Sequence, residues 1–269
     1  ALKLGGYGKY KVGHGGTLDP LASGVLPLAF GEATKTVPYV MDATKRYRFT
    51  AKWGEATATD DAEGEVVERS DRRPSAAEIQ AILPRFVGTV IQVPPTFSAI
   101  KVDGQRAYDM ARANTDFALA ARPVEVQRLD LAADDRDTAT FEVTCGEGAY
   151  MRALARDLGS ALDTCAHVIA LRRTAVGPFT EAHAISLESL EALGHSAAAS
   201  GPLLPLETAL DDIPALALTP EQARLLHNGQ VLTGIAAQGG LHLALNGEIP
   251  LALVEVLDGN VRTVRRFNL

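Results

Sequence analysis

Between Lys45 and Trp53 the chain alternates strictly: Tyr47, Phe49, Ala51 and Trp53 fall on one side of an extended segment, and Arg46, Arg48, Thr50 and Lys52 on the other. This period of two predicts a half-buried strand with one basic face. Apolar runs bounded by turn residues predict further strands at "GTVIQV", "PVEVQRLDL", "TATFEVTCG" and "AHVIALRRTAVG". A short buried strand is expected at "GVLPLAFG", Gly24 to Gly31, and a short helix or irregular crossing, broken at Pro38, after it. One helix begins at Ser75, where Glu78 completes a capping box, and ends near Arg85. Another runs from about Tyr150 to Leu162. "TATDDAEGEVVER" reads as an acidic loop or hairpin. "PPTFSAIKVDGQRAYDMARAN" opens on two prolines and predicts a protruding loop with a helix from about Gln105 to Arg112.

The texture changes at Gly194 to Pro202, a stretch of small residues that reads as a linker. Beyond it Thr219 caps a helix, with Pro220 at its first position and Gln222 completing the cap, and this helix ends by Gly229. Short strands accompany it, so the end of the chain reads as a mainly β appendage of about sixty residues, near the lower limit for an independent domain. The class that emerges is α+β; the pattern does not order the strands.

A hydrophobic share of 46% and a charged share of 22% are those of a globular protein, with no apolar run long enough for a bilayer and no secretory segment. A cytoplasmic location, away from membranes, is expected. The two cysteines, Cys145 and Cys165, have neither metal spacing nor disulfide density, and the six histidines are scattered, so neither a metal nor a disulfide is expected. The net charge of −7 argues against a generic nucleic-acid binder. It hides an asymmetry: residues 1–53 carry eight Lys or Arg against three acids, a net of +5, which leaves −12 for the rest. A basic face on an acidic body is either a phosphate-binding candidate or a solvated surface.

Candidate chemistry concentrates in "GHGGTLDPLASGVLPLAFGEATK", where one carboxylate, Asp19, follows a glycine-rich loop. Taken alone, Asp before Pro is a turn residue. In "CGEGAYMRALARDLG" a glycine pair delivers Tyr150 and Arg152 to the mouth of a helix, where an arginine can keep a nearby carboxylate ionised.

These two segments, with "KRYRFTAKWGEATATDDAEGE" and "AHVIALRRTAVGPF", resemble the TruB family of tRNA pseudouridine-55 synthases, from about Lys11 to Phe179. The resemblance implies a mixed, largely antiparallel central sheet flanked by helices, the pseudouridine synthase fold. Its catalytic domain would span 1–200 with an insertion at about 94–121 that closes over the RNA, and a PUA-like RNA-binding domain would span 203–269. It implies isomerisation of uridine 55 in the T loop of tRNA after base flipping, without cofactor or guide RNA, by an enzyme expected to be monomeric. The family's catalytic aspartate falls on Asp19, and its attack on C1′ or on the uracil ring is left open. Arg152 matches the arginine paired with it. Tyr47 matches the tyrosine that stacks on the base and is a candidate for moving the C5 proton. Tyr150 and Leu171 match pocket residues, and His14 the histidine that fills the gap left by the flipped nucleotide. Lys35 and the basic strand then become phosphate contacts. Without the resemblance, Tyr47, Tyr150 and Leu171 read as packing and His14 as a loop histidine.

Position 15 is Gly where the family often has Thr or Ala, and the family's opening Lys-Pro-x-Gly-x-Ser or Thr strand has no counterpart, so an early strand is expected to be missing. Two other readings compete. One is a tRNA-folding chaperone using the same docking surface. The other is a glycosidase-like hydrolase, which needs a second acid beside Asp19.

Overall fold

The computed structural model describes residues 11–98, 100–102, 105–113, 117–193 and 203–269. The chain divides into two compact units: one takes in the residues up to Thr17, Leu26–Met41 and His183–Leu269, the other Leu18–Val25 and Asp42–Ala182. The expected linker at Gly194–Pro202 lies outside the described residues.

The second unit is built on a seven-stranded sheet. Its strands run in the order Phe179–Thr180, Ala166–Val176, Lys45–Trp53, Thr138–Cys145, Arg122–Asp134 and Gly88–Gln92, all antiparallel, while Ala22–Gly24 joins Ala166–Val176 in parallel. The sheet is therefore mixed and largely antiparallel, as expected. Alternation decides its faces. Phe49 stands opposite Phe141 with rings 5.1 Å apart, and Trp53 meets Phe141 edge-on at 6.4 Å. Against this face packs the helix Met151–Ala161, which buries Leu154 and Leu158 completely. Each fully buried side chain of this size contributes about 1.5–3 kcal/mol.

The helix Ala76–Ile82 starts where its sequence says: Ser75 accepts from the Glu78 backbone, and Glu78 reaches back to the Ser75 N–H. A short helix, Ala107–Arg112, follows the paired segments Lys101–Val102 and Gln105–Arg106, so the expected start at Gln105 is extended chain instead. The acidic segment forms a hairpin of Glu55–Thr57 with Val66–Arg69.

"GVLPLAFG" is not one buried strand. Val25 is buried, but Leu26, Leu28 and Phe30 are exposed; Gly24 ends the strand Ala22–Gly24, and Leu28–Phe30 is a separate strand paired with Val12–His14. Pro27 interrupts the run, and the chain leaves one unit for the other between Val25 and Leu26.

In the first unit, residues 203–269 form a four-stranded sheet, Ala215–Ala217, Gly240–Asn246, Ile249–Leu257 and Asn260–Arg266. A helix, Pro220–His227, is capped by Thr219 and Gln222 as the sequence predicts. Leu226, Val254, Val256 and Val261 fill the core beneath it. Among the described residues no helix is long and apolar enough to cross a membrane.

Candidate active site

Asp19 occupies a turn, its carbonyl accepting from the Ala22 N–H at 2.9 Å. That backbone role leaves the carboxylate to point elsewhere, so the turn does not exclude a functional reading of the side chain. The turn leads into Ala22–Gly24, which lies beside Leu171, Arg172 and Arg173. Gly24 is required there: its φ is +103°, and a Cβ would stand 2.1 Å from the Arg173 carbonyl oxygen.

Arg152 is the second residue of the Met151–Ala161 helix. It grips Asp19 bidentately, Nε to Oδ2 at 2.9 Å and Nη2 to Oδ1 at 3.0 Å. The same guanidinium donates to the carbonyls of Thr59 (3.1 Å) and Phe97 (3.0 Å), and its Nη1 lies 3.4 Å from Asp61 Oδ2. Its side chain is 4% exposed against 29% for Asp19. A buried cation needs its donors filled and its charge balanced, and this one has both. With the arginine buried, the accessible side of the pair is Asp19, which is oriented by both hydrogen bonds and partly open.

Asp61 is a second acid at the pair, which the sequence reading placed only in an acidic loop. It is poorly disposed for the paired-acid chemistry of a hydrolase. Its side chain is 3% exposed, Oδ2 faces Arg152, and Oδ1 accepts from Thr59 Oγ1 at 2.5 Å and the Glu63 N–H at 3.0 Å. A carboxylate so enclosed holds a cation in place.

Tyr47 lies on the buried face of its strand, between Val143 and Arg173 on its neighbours. Burial raises its phenol above the ordinary tyrosine range, and a hydrogen bond and positive charge from Arg173 offset part of that rise. Arg173, itself 2% exposed, donates Nε to the Val25 carbonyl at 2.8 Å. It was not singled out from sequence, although a charged residue at the inward position between Leu171 and Ala175 is a legible anomaly. Leu171, buried, pairs with Ala22 and Phe49. Tyr150 caps the helix of Arg152. The buried Gln92 side chain takes both its backbone groups, accepting at 3.1 Å and donating at 3.4 Å, and the Arg122 guanidinium sits 5.3 Å from its ring centroid. Asp19, Tyr47, Tyr150, Arg152 and Leu171 thus belong to one unit, with Asp61, Gln92 and Arg173 as members the sequence did not announce.

His14 and Lys35 belong to the other unit. His14 is exposed at the end of Val12–His14. Lys35 donates to Glu32 at 2.6 Å and to the Arg266 carbonyl at 2.8 Å, while Glu32 also accepts from the Asn268 N–H. The basic face of Lys45–Trp53 carries acid partners: Arg48 pairs with Glu142 and Lys52 with Glu55. The alternation that sends Tyr47 to the buried face turns Arg46, Arg48 and Lys52 to the opposite one, so the expected phosphate contacts from this strand do not face the Asp19 site.

Residues 5–151 match the model of the TruB family pseudouridylate synthase N-terminal domain, and residues 152–211 that of the tRNA pseudouridylate synthase B C-terminal domain. The chain is 52% identical to the tRNA pseudouridine synthase B of Rhodospirillum rubrum, over 96% of its own length and 88% of that protein's. It is 53% identical to the tRNA pseudouridine synthase B of Bradyrhizobium diazoefficiens, over 96% and 78%. Among solved structures, a chain of an H/ACA RNP bound to a substrate RNA containing 2′-deoxyuridine shares the fold at a TM-score of 0.73 and 22% identity, covering 96% of this chain and 77% of that one.

Proposed function

The chain belongs to the TruB family of pseudouridylate synthases, and on that premise we propose that it converts uridine 55 in the T loop of tRNA to pseudouridine, with Asp19 as the reacting carboxylate. The names of its relatives support tRNA as the substrate. The observation that carries the role of Asp19 is the bidentate pair with Arg152, in which the arginine is buried and the carboxylate partly exposed.

In this reaction the C1′–N1 bond breaks, C1′–C5 forms, C5 loses a proton and N1 gains one. Composition is unchanged, so no oxidant or second reactant is consumed. Asp19 adds covalently, at C1′ or at the ring, and is released again; held by Arg152, it is oriented before the base arrives. Tyr47, with its hydroxyl held neutral by burial, stacks on the base and relays the C5 proton. Tyr150 and Leu171 line the pocket. Extruding the base costs a few kcal/mol, roughly, and His14 stacks in the gap it leaves. Lys35 contacts phosphate and residues 203–269 act as a PUA-like RNA-binding domain, with recognition needing no guide RNA.

The test is to incubate the chain with unmodified tRNA and map pseudouridine by chemical labelling and primer extension. Modification at position 55, lost in Asp19→Asn while tRNA binding persists, is expected. Modification elsewhere would overturn the site. No modification despite tight binding would overturn the reaction in favour of a folding chaperone.

A further inference from the structure

We propose that Arg156, together with Asp60, is a positioning residue for this reaction, holding the helix of Arg152 in register with the backbone that Arg152 itself touches. The inference rests on the reading of Asp19 and Arg152 as the reacting pair. Arg152 and Arg156 stand one turn apart on the helix Met151–Ala161, on the same side. Each takes one carboxylate of the adjacent residues Asp60 and Asp61 and one carbonyl of the segment 93–97. Arg152 meets Asp61 at 3.4 Å and the Phe97 carbonyl at 3.0 Å. Arg156 Nη1 donates to Asp60 Oδ2 at 2.8 Å and Nη2 to the Val93 carbonyl at 2.8 Å, while Nε donates to Asp157 at 3.0 Å.

The two arginines are thus rungs between the same three backbones. Neighbouring residues of an extended chain send their side chains apart, and the left-handed backbone of Asp60, φ 59°, breaks that alternation where its carboxylate meets the helix. Its carbonyl is anchored by the Val168 N–H at 3.1 Å, three residues before Leu171. A guanidinium fork that fills three acceptors fixes orientation as well as distance. Without the Arg156 rung, the helix keeps its buried Leu154 and Leu158 but loses one tie to the segments 57–61 and 93–97, and a small tilt there carries Arg152 and Asp19 with it.

Stability alone does not account for the pair. Burial raises the Asp60 carboxyl above its ordinary range despite Arg156, so its ionised form is held against desolvation. A carboxyl raised in the folded state contributes most stability below its unfolded value and loses part of it as pH rises, so Asp60 is not at its most stabilising at neutral pH. A role in positioning therefore predicts a split between stability and rate.

Initial rates on unmodified tRNA, thermal melts and tRNA KM are measured for the wild type, Asp60→Asn, Arg156→Lys and the double variant. At neutral pH both single variants are expected to stay folded at the assay temperature, which the melts check. In both, kcat falls about ten- to a hundred-fold, the effect of a misplacement of roughly 1 Å, with KM within about two-fold. The double variant is no slower than the slower single, as expected of one coupled unit. Wild-type kcat in both single variants, or a loss that follows the folded fraction or KM alone, overturns the proposal. A wild type that forms no pseudouridine overturns the underlying reading instead.

Discussion

Around the seven-stranded sheet the buried polar side chains include Lys45, Asp61, Gln92, Arg152, His167 and Arg173; in the C-terminal four-stranded sheet His242 is the buried polar side chain among the described residues. Both sheets bury apolar residues fully, Phe49, Phe141 and Leu154 in the first and Leu253, Val254 and Val261 in the second. The second has an ordinary core, whose one polar member is satisfied locally: His242 Nδ1 meets the Gly240 carbonyl at 3.1 Å. The first carries charges that are expensive to take from water and are stable only because each is enclosed by specific partners. What distinguishes the two is therefore which side chains would be left unpaired by a change, and the proposed active site lies among the buried charges of the first.

The largest expected effect follows from Arg152. Arg152→Lys keeps the charge but loses the fork that spans both oxygens of Asp19 and two carbonyls. Pseudouridine formation should fall by about a hundred-fold or more in kcat, since orientation of the carboxylate is lost; a variant within a few-fold of wild type would remove the contrast between the sheets. Leu253→Ala should do the reverse. It should lower stability by about 2–5 kcal/mol, measured by denaturant unfolding, because a fully buried leucine leaves a cavity. Its kcat, read well below its melting point, should match the wild type.

The smallest effect concerns Tyr47. Its phenol is raised in the folded state by burial, so between the ordinary tyrosine value and the folded one the unfolded chain has released a proton that the native chain retains. Stability should fall as pH rises through that window. Phenolate absorbance should show a tyrosine step above the ordinary tyrosine range, and Tyr47→Phe should remove that step. A step lost in the ordinary tyrosine range instead would show that Tyr47 is solvated like a surface residue.

Much of the fold was legible because it is local. The alternation of Lys45–Trp53, the capping boxes at Ser75 and Thr219, and the helix after Tyr150 all depend on neighbours within a few residues, and each stands where the pattern put it. "GVLPLAFG" misled because an apolar run carries no sign of which partner, if any, will cover it; Leu26, Leu28 and Phe30 stay exposed. The basic strand showed its face but not its partners, since Glu142, the counter-charge of Arg48, is 94 residues away in the chain.

By itself the sequence determined the α+β class and the motifs that point to a family, which are properties of residue type and short spacing; the pairing of Asp19 with Arg152, 133 residues apart, was implied only by the resemblance of those motifs to the family. Only the tertiary structure decided that Asp61 shares the arginine of Asp19, that Arg173 lies buried beside Tyr47, and that Arg156 repeats the pattern one turn on. An acid in an acidic loop reads as solvated until folding removes its water. What then fixes its role is the cation it meets, and that meeting depends on the packing of a helix some ninety residues away.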